Sequence, residues 1–220
     1  MSDGVIALLP IGAGAKQHGR HLPMSSDQLQ AEWLCEQLRL GHPVLVWPPL
    51  NYGYYPAFVD YPASASLSAG TFQRLVREVL NEMLRAGARR VLIVNTGIST
   101  IAPIEAAIPE SPADSRIRLA NVYRGPNYLA CERSLIEQSR GGHADEAETS
   151  IMLAIAPGLV RMESAEPELR PTGKGPLSRN DSNASNYSPS GVFGDPTLAS
   201  EEKGRKLLAA MLEDLRQELA

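Results

Sequence analysis

Two short stretches of the sequence concentrate side chains able to move protons or hold a cation. The first is Lys16-Gln17-His18-Gly19-Arg20-His21-Leu22-Pro23, followed by Asp27. It sits between an apolar run and a helical pattern. A His and an Asp nine positions apart across a glycine-bearing loop can converge on one divalent ion, so His18 and Asp27 are candidate metal ligands. A plainer reading stays open, because a carboxylate in the first turn of a helix is favoured by the helix dipole alone. The second stretch is His143-Ala144-Asp145-Glu146-Ala147-Glu148-Thr149-Ser150. Its carboxylates also suit a helix start, but a cation there is disfavoured. His143 is therefore expected to be neutral, the form that acts as a base or binds a metal.

Other residues offer weaker signals. Gly97-Ile98-Ser99-Thr100 places hydroxyls at a strand-to-helix turn. Ser99 as a nucleophile is conceivable, but capping of the following helix explains the hydroxyls more simply. The stretch Asn51-Tyr52-Gly53-Tyr54-Tyr55-Pro56 is expected at the mouth of the site. Tyr54 and Tyr55 there suit a flat or cyclic ligand, or equally a subunit interface. Arg20 is a candidate for an anionic substrate group, or for a surface salt bridge. There is no GxSxG elbow, P-loop, GxGxxG, HExxH or CxxC.

The elements that must position these residues follow from periodicity. Val5 to Leu9, Pro43 to Trp47, Arg90 to Asn95 and Arg116 to Val122 read as strands. A helix is expected from Ser25, with Ser25 and Gln28 at capping-box spacing and Gly41 at its end. Ala69 to Ala86 is amphipathic, with Phe72, Val76, Leu80 and Met83 on one face and Gly87 at its end. Further helices are expected at about Ile98 to Ile108, at Glu146 to Ala156 and at Pro196 to Leu219. Tyr123 to Gly142 has no clear pattern. Pro48 to Ser68 and Arg161 to Pro189 read as loops, the second mobile in part. Alternating strands and helices predict one α/β domain over residues 1–220, with a mostly parallel sheet covered on both faces. Ligands of such sheets bind beyond the carboxyl ends of the strands.

The chain has 220 residues, 43% of them hydrophobic, enough for one sizeable core. A formal net charge of −4 points away from a nucleic-acid partner. No apolar run approaches bilayer length, so no membrane partner is expected, and nothing at the start reads as a signal peptide. Cys35 and Cys131 make no disulfide framework, and the expected location is cytoplasmic.

Taken together these stretches resemble the creatininase (creatinine amidohydrolase) family. Leu8 to Asp27 looks like that family's LLPxGSxEQHGxHLPxxTD segment, and His143 to Ser150 like its HAGxxETS segment. Gly191 to Gly204 looks like its GVxGDPxxAxxEKG segment. The resemblance implies an α/β/α sandwich, a two-metal centre, hydrolysis of C–N bonds in small amides and cyclic amides, and a homo-oligomer, a hexamer in many members. It also assigns positions. His18 and Asp27 match the family's first-loop His and bridging Asp, His143 its proton-transfer histidine, and Glu148 a ligand of the second metal. Two ligand positions depart from the pattern: the first-loop Glu is Lys16, and the turn His after the third strand is Gly97.

A protonated amine cannot ligate a metal. The departure therefore predicts loss of one metal site, with the Lys16 ammonium near its place and paired with Asp27. Three readings follow for a small-molecule substrate. One is a hydrolase with a single Zn, Mn or Fe ion on His18, Asp27 and Glu148. Another is a metal-free enzyme using Lys16 and His143. The last is a non-catalytic relative that serves as a binding or assembly subunit.

Overall fold

The computed structural model describes residues 5–108, 116–172 and 175–219. Four parallel strands form its sheet: β1 (Ile6–Ile11), β2 (Val44–Val46), β3 (Arg90–Asn95) and β4 (Ile117–Asn121), in the order β2-β1-β3-β4. The register pairs Ile6 with both Val44 and Arg90, and Asn95 with Asn121. The central strands alternate faces. Leu8, Leu92 and Val94 pack with helices α1 (Ser26–Gly41), α4 (Pro126–Leu135), α5 (Glu146–Ile155) and α6 (Glu201–Leu219). Ala7, Leu9, Ile11, Val91 and Ile93 pack with α2 (Ala69–Arg85) and α3 (Ile101–Ala107). This is the three-layer α/β arrangement the sequence predicts. Among the described residues no helix is long and apolar enough to cross a membrane.

Local sequence accounts for most elements. In α2, Phe72, Val76, Leu80 and Met83 are fully buried, each worth about 1.5–3 kcal/mol of transfer free energy. The Ser68 side chain accepts from the Thr71 N–H at its start, and Gly87, at φ 103°, follows its end. Cys35 is a fully buried apolar residue, as expected.

Several expectations need correction. Ser25 makes no side-chain cap; Gln28 instead donates to Glu32, and its backbone N–H donates to the Ala13 carbonyl. The helix after β3 starts at Ile101. The stretch without a pattern contains α4, whose first N–H groups, those of Asn127 and Tyr128, donate to Asp214 of α6. The last helix is not continuous from Pro196: Asp195 caps a single turn at Pro196–Leu198, and the chain is extended at Ala199 before α6 begins. Residues 161–189 carry no long element, although Glu168 bridges Gly194 and Ser178 bridges Tyr187. Residues 173–174 of this loop lie outside the described residues.

The Gly191 to Gly204 segment is explained by packing. Lys203 reaches the buried Glu146 carboxylate at 2.5 Å, tying α6 to the start of α5. At Gly204 the two helices touch so closely that a Cβ would lie 1.9 Å from the Ser150 carbonyl oxygen. Alanine at an ordinary helical glycine stabilises by up to about 1 kcal/mol. Here overpacking wins, so Gly204→Ala is expected to destabilise the chain by about 3 kcal/mol in urea unfolding.

Candidate active site

The site lies beyond the carboxyl ends of β1 and β3. Asp27 reaches it because Gly12 lets α1 approach β1: a Cβ on Gly12 would sit 2.4 Å from the Asp27 carbonyl oxygen. Thr96, just past β3, donates to that oxygen at 3.0 Å and to the Ile11 carbonyl at 3.2 Å. The Asp27 backbone is thus clamped between the two strands before its side chain does anything.

Both Asp27 carboxylate oxygens meet a cationic or protonated group. The Lys16 ammonium lies 2.6 Å from Oδ2, and His18 Nε2 lies 2.9 Å from Oδ1. The lysine sits off the line of a good hydrogen bond, so the Oδ2 contact is an ion pair without a well-aligned donor. Asp27 and His18 are fully buried, and Lys16 nearly so. Burial alone would raise the Asp27 pKa, but the Lys16 ammonium and then His18 hold its carboxyl well below the usual carboxylate range. His18 Nδ1 is 2.8 Å from the Lys16 carbonyl. Both imidazole nitrogens therefore face oxygens that only accept. The aromatic rings of Phe58 and Tyr55 lie 5.2 and 5.7 Å from the ammonium.

His143 is built differently. Its Nε2 donates to the Gln17 carbonyl at 2.6 Å, which leaves Nδ1 with a lone pair, 3.6 Å from Glu148 Oε2. Its ring lies 4.5 Å from Phe58 and 4.7 Å from His18. Burial, then the charges of Lys16 and His18, hold its pKa well below the usual 6.5. His143 is held neutral, as its place at a helix start predicts. The next residue, Ala144, is buried at φ 48°, an uncommon conformation for alanine. That geometry directs its N–H onto Glu148 Oε2 at 2.5 Å. Burial raises the Glu148 pKa while His18 and Lys16 oppose the shift. Asp145 caps α5 through the N–H groups of Ala147 and Glu148; burial and then the Glu148 charge push it up to about 7.

These groups meet at a cavity of about 840 Å3. Of the residues singled out from the sequence, Lys16, Tyr54, Ser99, His143 and Glu148 line it. His18, Asp27 and Tyr55 lie behind the lining, Tyr55 only 2% exposed with an unpaired hydroxyl. Arg20 is exposed and stands away from the cavity wall, against its expected place at an anionic substrate group. Neither turn hydroxyl caps α3: Ser99 donates to the Tyr54 carbonyl, and Thr100 to Asn95 and the Gly97 carbonyl. Phe58, Asp145 and Asn186 line the cavity although the sequence did not single them out. Asp145 sits in the same motif as His143. Phe58 and Asn186 lie in loops with no periodic signal.

Among the described residues, the donors that converge are His18, His143 and Glu148, whose ligand atoms all lie within 4.8 Å of one another. The expected trio was His18, Asp27 and Glu148; Asp27 stands outside the converging group, its oxygens against the Lys16 ammonium and His18. Two imidazoles and a carboxylate suit zinc or manganese by type. The surroundings do not fit a resident ion: both His18 ring nitrogens already face oxygens of the chain, and a fixed ammonium stands beside the group. Nor is the missing turn ligand supplied nearby. Gly97 is enclosed, with a Cβ meeting Thr100 Oγ1 at 2.6 Å.

Comparison with known proteins places this geometry. The chain matches the creatininase family model, described as creatinine amidohydrolase, over residues 1–219. The chain belongs to the creatininase family. That membership puts it among hydrolases. It is 27% identical to the creatinine amidohydrolase of Pseudomonas putida over 72% of this chain and 67% of that protein. It is 29% identical to a mycofactocin precursor peptide peptidase of Mycobacterium ulcerans, over 97% of this chain and 84% of the relative. A solved structure titled "Creatininase Mn" superposes with a TM-score of 0.84 at 23% identity, covering 99% of this chain and 91% of that one. Within the creatininase fold, this member carries a lysine ion pair and a neutral histidine at the sheet edge.

A buried neutral histidine also sets pH-dependent stability. Burial and then the His18 charge lower His21 from 6.5 to about 4, and His21 Nε2 pairs with Thr149 Oγ1 at 2.9 Å. Between these values the unfolded chain binds a proton that the folded one refuses, so stability falls as pH drops from 6.5 to 4. In His21→Gln that loss should be smaller by up to about one proton's worth, measured by urea unfolding across the window.

Proposed function

We propose that this chain is a hydrolase of a C–N bond in a small amide, cyclic amide or formamide, and that it works without a resident metal. The observation that carries the reading is the Lys16 ammonium, 2.6 Å from Asp27 and lining the same cavity as His143. A fixed positive charge already stands against the carboxylate that a metal would need.

The chain's own groups are sufficient for the reaction. Water gives a proton to His143 Nδ1, and its oxygen bonds to the substrate carbonyl carbon. The developing oxyanion faces the Lys16 ammonium, whose charge Asp27 holds in place. Glu148, its pKa raised by burial, gives a proton to the departing nitrogen as the C–N bond breaks. The products are a carboxylic acid and an amine. The proton on His143 then returns to Glu148, 3.6 Å away, and both groups are reset. His18 is a positioning residue here, bracing Asp27 from behind. Tyr54 and Ser99 form part of the wall around the substrate.

The test combines metal analysis with turnover on a panel of lactams, imides and formamides. The purified chain should hold well under one equivalent of Zn, Mn or Fe and keep its activity after chelation. Lys16→Met and His143→Gln should each lower kcat/KM by about 100-fold or more. About one equivalent of metal, lost together with activity in His18→Ala, would instead establish the one-metal reading through His18, His143 and Glu148. No turnover of any compound would leave a non-catalytic binding or assembly subunit.

A further inference from the structure

Two further carboxyl groups line the cavity, and nothing in the proposed reaction uses them. Glu132 on α4 and Asp145 at the start of α5 both line the cavity. Glu132 Oε1 accepts from the Tyr128 hydroxyl at 2.8 Å. Asp145 accepts from the Gln138 side chain and two backbone N–H groups. Among the described residues, neither has a cation within ion-pair distance. Lys16 is the one lysine or arginine in the described lining, and it is paired with Asp27. Among the described residues, Glu132 and the ionised fraction of Asp145 therefore face the cavity without a counter-charge.

Independently, Asn186 presents an unused amide to the same space. It is only 9% exposed and lines the cavity, and its side chain makes no hydrogen bond among the described residues. Its backbone is held, because its carbonyl accepts from the Ser178 N–H at 3.1 Å. A buried amide left unpaired is costly unless a ligand completes it. The space between is walled by Phe58, Tyr54, Leu177 and Phe193, surfaces suited to an aliphatic or flat stem. At about 840 Å3 the cavity accommodates far more than a single small ring.

We propose that the ligand is a cationic amide: a primary ammonium or guanidinium group sits against Glu132 and Asp145, and a neutral amide of the same molecule pairs with Asn186. This names the substrate class of the site above and rests on that reading only for what happens to the bound amide.

Equilibrium binding tests it, using three probes that differ in one end group: N-acetyl-lysinamide, N-acetyl-norleucinamide and N-acetyl-glutamic acid amide. Titration calorimetry at neutral pH should show the cationic probe binding about tenfold or more tighter than the neutral one, with the anionic probe weakest. Glu132→Gln and Asp145→Asn should each remove most of that preference. Glu132→Gln keeps the bond from the Tyr128 hydroxyl, and asparagine at position 145 remains a good helix cap while losing the bond from Gln138. Asn186→Ala should weaken the cationic and neutral probes alike. Urea unfolding of each variant verifies the fold. The proposal is overturned if the neutral or anionic probe binds as well as the cationic one. It is also overturned if the preference survives in both carboxyl variants, or if no probe binds. Assaying the same probes for cleavage separates the two readings: a cationic preference without turnover refutes the hydrolase reading alone, and turnover without preference refutes this one alone.

Discussion

One buried carboxylate governs the centre of this molecule. Asp27 is fully enclosed at the point where α1 meets the ends of β1 and β3, and a bare charge there would be severely penalised. It needs partners, and the preceding loop supplies two: the Lys16 ammonium on one oxygen and the His18 ring on the other. Glu148 lies close by, its pKa raised by burial. Family membership fixes where this cluster sits, and the residue at position 16 sets its electrostatics.

The scaffold enforces the arrangement through backbone contacts more than through side chains. Gly12 admits the Asp27 backbone, Thr96 hydrogen-bonds it, and the Lys16 carbonyl orients His18. On the other wall, a two-residue bridge between His143 and Phe193 sets the histidine's position, and Ala144 takes a strained conformation to aim its N–H at Glu148. The outcome separates two histidines by their partners. His18 has an oxygen at each ring nitrogen; His143 donates once, to Gln17, and its Nδ1 is left beside Glu148.

Departures from the family pattern are consistent with one another. Where the resemblance implies a loop carboxylate, Lys16 offers no ligand and adds a charge that opposes a metal. Where it implies a turn histidine, Gly97 stands, and the turn around it closes onto Thr100 and Asn95, leaving no room for a larger side chain without movement. Both positions lie in loops, outside the strands and helices. The fold is set by the alternating apolar residues of the strands and the packed face of α6, far from position 16.

The four strands, the amphipathic α2 and the three-layer arrangement were legible in the sequence, because apolar periodicity reports directly on which face is buried. So were the two motif stretches that supply Lys16, His18, Asp27, His143 and Glu148, since residue types and order survive translation into a list. Three things were not. α4 was hidden because its first turn is held by Asp214, 87 residues away, and long-range capping leaves no local trace. Which donors converge was not legible, because the distances among His18, Asp27, His143 and Glu148 depend on how the first loop and the start of α5 fold together. Phe58 and Asn186 became part of the cavity only when loops after β2 and beyond α5 folded over the same strand ends. Sequence determines which groups are available; their distances, and hence their protonation and pairing, belong to the tertiary structure, because electrostatic energy depends on separation and burial that no linear spacing encodes.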